Sequence, residues 1–292
     1  MIKMFYDINI GKINILLFLY RLITLKKLCK KEIMQRWILS KIHQNMDITK
    51  KTLIILPHLD DEFALVPLIK NITKENSNNL KIIYCAERIF DSDKKRKDRR
   101  SESVSSLKLL GCKKENISYL NDYFEVQDLR LSASSKNIYN FIKKIHFKEN
   151  FSQIISLSFE GGHPDHDSLA LIVNKFSKAY MINTFYVPAY NHRRTLFIPI
   201  SVFRPLQTQE YYFIIKKYNL FCWVDCLKIA YIYKTERKAF IKLLPFILFK
   251  SIFSQKMYLS QILNIESVKW IESLSCSRYK VSKEEILEAI NW

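Results

Sequence analysis

Between residues 52 and 187 short apolar runs alternate with longer amphipathic stretches. Thr52–Leu56, 80–86, 117–120, 154–157 and 182–187 are runs rich in Ile, Leu, Val and Tyr, bounded by polar or glycine-containing turns, as strands buried on both faces are. Each of the first four is followed by a stretch with helical spacing: 62–72, 98–110, 132–145 and 167–179. Leu107 and Leu110 lie three apart before Gly111, a C-terminal stop. Ile138, Phe141, Ile142 and Ile145 share one helical face. Strands that alternate with helices in this way imply βαβ units and a mostly parallel sheet.

The pattern therefore predicts a Rossmann-like α/β fold with helices on both faces of the sheet, over a core spanning 51–190. Residues 1–50 read as a basic, helical N-terminal extension. Residues 191–292 read as a mostly helical, basic part of the same domain. In that part 203–223 is aromatic and ambiguous. Residues 234–258 are helical in pattern, with Lys234, Lys238 and Lys242 opposite Phe240, Leu243, Leu244 and Ile247, and Pro245 is expected to kink the helix. Ser282 with Glu285 forms a capping box before a short final helix.

Composition narrows the class. A chain of 292 residues with 48% hydrophobic content can bury a full core. The formal charge of +19 favours polyanionic partners, such as an anionic lipid surface or a phosphorylated substrate, although a lysine-rich coding bias alone produces such a balance. The lysines are spread over the whole chain and follow no nucleic-acid-binding module, so no nucleic-acid partner is expected. Six cysteines without framework spacing fit a reducing compartment. The apolar run 13–20 is too short to span a bilayer and is interrupted by Arg21, so the expected location is cytoplasmic, with the basic segments 21–31 and 234–256 offering peripheral contact with the inner membrane face.

Two motifs carry the chemistry. Pro57-His58-Leu59-Asp60-Asp61-Glu62 follows the first strand directly, and Glu160-Gly161-Gly162-His163-Pro164-Asp165-His166-Asp167 follows the fourth. Sites in open α/β sheets assemble past the carboxyl ends of strands. His58 and Asp61, three apart at a strand-to-helix junction, can converge on one ion, and His166 can add a third ligand. A zinc ion held by two histidines and a carboxylate keeps an open position and activates water. Asp60 is then free to act as general base, and His163 to stabilise an oxyanion or protonate a leaving amine. Asp165 or Glu62 can orient the histidines.

These motifs resemble those of the zinc-dependent N-deacetylases of the LmbE/PIG-L type, whose first motif is commonly His-Pro-Asp-Asp-Glu and whose second is His-x-Asp-His. A third signature of that family, Arg-x-x-Glu leading to Leu-Gly, is present as Arg99-Arg100-Ser101-Glu102 through Leu110-Gly111. The resemblance covers roughly residues 50 to 190 and departs at Leu59, where the family has proline. It implies zinc on His58, Asp61 and His166, Asp60 as base and His163 as acid or oxyanion partner. It also implies substrate contacts from Arg99, Asp122 and Glu160, and removal of an acetyl group from an N-acetylhexosamine in a lipid-linked or surface-polysaccharide glycoconjugate. The alternatives are an amide hydrolase on another N-acyl substrate, such as a thiol-glycoside precursor, and a non-enzymatic basic protein of the membrane surface.

Overall fold

A computed structural model describes residues 46–88, 92–191, 201–203, 213–216, 220–249, 256–261 and 281–292. The chain divides into two compact units, Met1–Asn45 and Met46–Trp292, of which the first lies outside the described residues together with the expected N-terminal helix.

Five strands form one parallel sheet: β1 (Thr52–Leu56), β2 (Leu80–Tyr84), β3 (Ile117–Tyr119), β4 (Gln153–Leu157) and β5 (Asn183–Val187), in the order β3-β2-β1-β4-β5. The order runs outward from β1 through β2 to β3, then reverses through β4 to β5. The switch point therefore falls between β1 and β4, where successive connections leave in opposite directions and open a crevice. β1 and β4 pair in register from Thr52 opposite Gln153 to Ile54 opposite Ile155. Both motifs thus emerge side by side at the crevice.

The crossover helices are α1 (Val66–Asn76), α2 (Asp93–Leu109), α3 (Ser135–Glu149) and α4 (Pro164–Tyr180). Alternate strand residues feed two cores. Ile54, Leu56, Ile82, Tyr84, Ile155 and Leu157 pack on one face with α1, the end of α2 and the C-terminal helices α5 (Leu220–Ile232) and α6 (Arg237–Phe249). Leu53, Ile55, Ile83, Ile154 and Tyr186 pack on the other face with α3, α4 and the final helix α7 (Lys283–Ile290). Gly111 stops α2 at φ +89°, and a Cβ there would come within 2.9 Å of Thr73 Oγ1. The capping box of α7 forms as expected, with Ser282 and Glu285 bonded reciprocally.

The structure corrects several element boundaries. The stretch expected to be a helix over 62–72 opens as a 3-10 turn, Asp61–Leu65, and continues as α1. The helix after β4 begins at Pro164 rather than at 167, because His163 caps it and proline suits the first helical position. The helical pattern over 234–258 breaks: α6 ends at Phe249, and Lys256–Leu259 is strand β9, antiparallel to β8 (Phe213–Lys216). A further antiparallel pair is β6 (Tyr190–Asn191) with β7 (Ser201–Val202). The apolar face of α6 is occupied, with Phe240 and Ile247 buried and Leu243 and Leu244 packed on the first core. Cys222 and Cys226 are buried free thiols on α5. Among the described residues no helix is long and apolar enough to cross a membrane.

Candidate active site

The loop after β1 is held from both ends. The backbone N–H groups of Cys85 and Ala86 donate to the carbonyls of Leu56 and Pro57, so pairing with the β2 side continues past the strand. The His58 N–H donates to Asp61 Oδ2 at 2.8 Å, folding the loop onto its own carboxylate. Leu59, at the family's proline position, puts its side chain into the core, while its carbonyl accepts the hydroxyl of Tyr233.

The second motif is built on the N-terminus of α4. His163 is the cap: its Nδ1 accepts the N–H of Asp165 at 3.2 Å. With Nδ1 occupied as an acceptor, the neutral ring carries its proton on Nε2. Burial, with the charges of His58 and His166 beside it, holds this imidazole well below its ordinary pKa. Asp167 ties the preceding loop, its Oδ1 accepting from the N–H groups of Glu160 and Gly161; Gly161 sits at φ +68°, a conformation glycine adopts without strain.

The two loops bring His58, His163 and His166 together. Ring centroids lie 4.7 Å apart for His58 and His163, 5.0 Å for His163 and His166, and 5.5 Å for His58 and His166. One nitrogen from each falls within 4.8 Å of the other two. Asp61 straddles the outer pair: its Oδ2 is 3.2 Å from His58 Nδ1 and its Oδ1 is 3.3 Å from His166 Nε2. The nearby histidines hold its carboxyl well below the usual range, although burial alone would raise it.

The donor set fits a small divalent cation. Asp165 is buried and accepts the N–H groups of Leu129 and Leu131 at 2.7 and 3.0 Å. Its Oδ2 stands 3.0 Å from His58 Nε2, so the proton of a neutral His58 is on Nε2 and its Nδ1 lone pair faces Asp61. Two acceptors 3.2 Å apart need a proton or a cation between them. Zinc–ligand bonds of 2.0–2.1 Å at tetrahedral angles put ligand atoms about 3.3 Å apart, the spacing found here. Burial lowers the His58 pKa, but Asp128, Asp165 and Asp61 outweigh it and hold the imidazole well above its ordinary value.

Asp60 precedes Asp61 at the crevice. Burial and the charge of Asp61 raise its pKa, against the pull of Arg99 and His58. Glu62 does not reach the histidines. It is fully buried, accepting the Tyr84 hydroxyl at 2.8 Å and lying 2.5 Å from the Tyr233 hydroxyl, and burial pushes its pKa up to about 8.

The three expected substrate contacts lie apart from this cluster. Arg99 is buried and paired with Glu236. Glu160 is buried, and its Oε2 accepts the Ala189 N–H at 2.7 Å. Asp122 is half-exposed and bonded to Arg100 at 2.7 Å. Sequence reasoning missed Asp128, whose Oδ1 is 3.2 Å from His58 Nε2 and whose Oδ2 is 3.3 Å from Arg88 Nε. It also missed Tyr233, which locks the first motif from the C-terminal helices; neither residue lies in a recurring pattern.

Residues 53–177 match the family model described as PIG-L: GlcNAc-PI de-N-acetylase. Among solved structures, N,N'-diacetylchitobiose deacetylase from Pyrococcus horikoshii is 20% identical, with 73% of this chain and 82% of that one covered and a TM-score of 0.47. The A40926 pseudoaglycone deacetylase Dbv21 is 14% identical, over 73% and 96% of the two chains at a TM-score of 0.47. The 4-carboxy-2-hydroxymuconate hydratase from Pseudomonas putida is 11% identical, over 72% and 94% at 0.44. A search of curated proteins found no match.

Proposed function

Residues 53–177 carry a domain of the PIG-L deacetylase family, and from that premise we propose that the chain is a zinc-dependent hydrolase that removes the acetyl group from an N-acetylhexosamine of a glycoconjugate. The observation that carries the reading is Asp61 set between His58 and His166 at 3.2 and 3.3 Å, with a third imidazole, His163, against them at the sheet's switch point.

In this reading His58, Asp61 and His166 hold the ion, and Asp165 fixes the His58 tautomer. Bound there, zinc supplies Lewis acidity that polarises an amide carbonyl and acidifies water. Asp60 takes a proton from the attacking water; its raised pKa makes it a better base than an ordinary aspartate. His163 presents Nε2–H to the carbonyl oxygen as negative charge develops there. It acts as a neutral donor, since burial and its cationic neighbours disfavour the imidazolium. The proton held by Asp60 then passes to the leaving nitrogen, so that water and amide become acetate and a free amine.

The finer parts of the proposal are zinc as the metal, a lipid-linked or surface-polysaccharide substrate, and a peripheral position at an anionic membrane. The last is supported by the charge of +19 and the exposed Lys238 and Lys242 of α6, where each lysine near an anionic surface contributes about 1 kcal/mol. The test of the activity is acetate release from free, nucleotide-linked and lipid-linked N-acetyl sugars with zinc supplied. Release from at least one class, abolished by chelation and restored by zinc, is expected. No acetate from any of them would refute the reading.

A further inference from the structure

Beside the histidine cluster, past the carboxyl ends of β2 and β3, lies a cavity of about 610 Å³. Its described walls come from three places. Asp93, Arg96, Lys97 and Arg100 form one face of the first two turns of α2; Glu87 follows β2; and residues 121–125 form the turn after β3. The cavity adjoins the histidines through one layer of chain. Glu87 bridges Gln127, and the next residues on each segment, Arg88 and Asp128, pair with each other 3.2 Å short of His58.

Two properties of the walls define what fits. The first is charge. Four carboxylates face three cations, and most are already matched: Arg100 bonds Glu87 through Nε and Nη2 and Asp122 through Nη1, and Arg96 pairs with Asp93. A strongly basic chain thus has, at this place, a cavity with no cationic excess, which gives a phosphate or a uronate no advantage. Half-exposed carboxylates and guanidinium edges do suit vicinal hydroxyls, which both donate and accept.

The second property is a fixed aromatic plate. Tyr123 is 62% exposed, an unusual cost for a large ring unless it meets a partner. It is not loose: the N–H groups of Tyr123 and Phe124 both donate to the Leu120 carbonyl, at 2.8 and 3.0 Å, and the Tyr123 ring packs on Phe141 at 4.8 Å. A rigid half-bare ring beside polar groups that bind hydroxyls matches the apolar face and hydroxyl edge of a pyranose.

We infer that this cavity is a subsite for an uncharged sugar unit adjoining the one whose acetyl group is removed, with Tyr123 as its stacking platform and Asp122 and Arg100 as its hydroxyl partners. The inference rests on the deacetylase reading for the identity of the neighbouring sugar and narrows that reading to glycans of at least two units, neutral at the second.

The test is calorimetric titration of the full-length protein with N-acetylglucosamine, with N,N'-diacetylchitobiose and with N-acetylglucosamine 1-phosphate, alongside acetate release. The dimer is expected to bind about tenfold more tightly than the monomer, with no comparable gain from the phosphate. Tyr123→Ala should remove the gain, since a stacked ring is worth about a factor of ten, and leave the monomer unchanged; Tyr123→Phe, which keeps the ring, should preserve it. Equal affinity for monomer and dimer, a larger gain from the phosphate, or equal weakening of both sugars by Tyr123→Ala would each overturn the subsite. A dimer advantage lost in Tyr123→Ala, with no acetate released, would leave the subsite standing and refute the deacetylase reading instead.

Discussion

Replacing Glu62 by glutamine tests how the first motif is held. Tyr233 has one hydroxyl proton and two partners, the Leu59 carbonyl and Glu62 Oε1. The carbonyl can only accept, so that proton lies on the bond to Leu59. The 2.5 Å contact with Glu62 then needs a proton from Glu62, which makes it a neutral acid, in line with a pKa that burial pushes up to about 8. Glutamine reproduces the pattern: its NH₂ donates to Tyr233 and its carbonyl accepts from Tyr84. The sign of the pH effect follows from the direction of the shift. With a folded pKa above the unfolded one, the native state binds more protons between 4.5 and about 8, so stability falls as pH rises through that window. That gap, at about 1.4 kcal/mol per pH unit, sets a ceiling of roughly 5 kcal/mol. The assay is denaturant unfolding of wild type and Glu62→Gln from pH 5 to pH 8, with chelator in every sample. The variant should gain on the wild type steadily across that range, by several kcal/mol in all. Parallel stability curves, or a wild type that gains on the variant as pH rises, would mean that Glu62 is ionised in the fold and the reasoning is wrong.

Other substitutions separate the remaining roles. Asp60→Asn should keep its metal and lose about 10²–10⁴ in turnover, because an amide cannot take the proton from water; loss of metal instead would make Asp60 a ligand. His163→Ala should lower kcat far more than metal content, as removal of an oxyanion donor does by about 10²–10³, and unchanged kcat would remove His163 from the chemistry. Tyr233→Phe leaves the Leu59 carbonyl and Glu62 without their partner, so it should cost about 1–3 kcal/mol of stability and weaken metal binding through the loop; unaltered stability would show the hydrogen bond to be idle.

What the sequence made legible is what depends on local pattern. The five apolar runs are the five strands, and a motif placed after β1 and another after β4 are informative because the strand order puts those two strands together. Residues paired across long separations were not legible. β8 and β9 pair Phe213 with Leu259, and no local periodicity distinguishes Lys256–Leu259 from the end of a helix. Asp128 lies in an irregular stretch between β3 and α3 and reaches His58 only through the packing of that loop over the sheet edge. Tyr233 reads as the last apolar residue of a helix; its hydroxyl matters because α5 packs against α1 and the turn that bears the motif. Arg99, expected at the substrate, pairs with Glu236 from the turn between α5 and α6, a partner from beyond the region where the family motifs occur.

The central claim is that His58, Asp61 and His166 hold one divalent ion. Metal content per chain, measured by mass spectrometry after zinc loading and dialysis, tests it directly in the wild type and in Asp61→Ala, His166→Ala and Asp60→Asn. The account predicts about one zinc per chain in the wild type and in Asp60→Asn, and nearly none in folded Asp61→Ala or His166→Ala. A wild type that retains no metal, or Asp61→Ala and His166→Ala proteins that retain as much as the wild type, would contradict it.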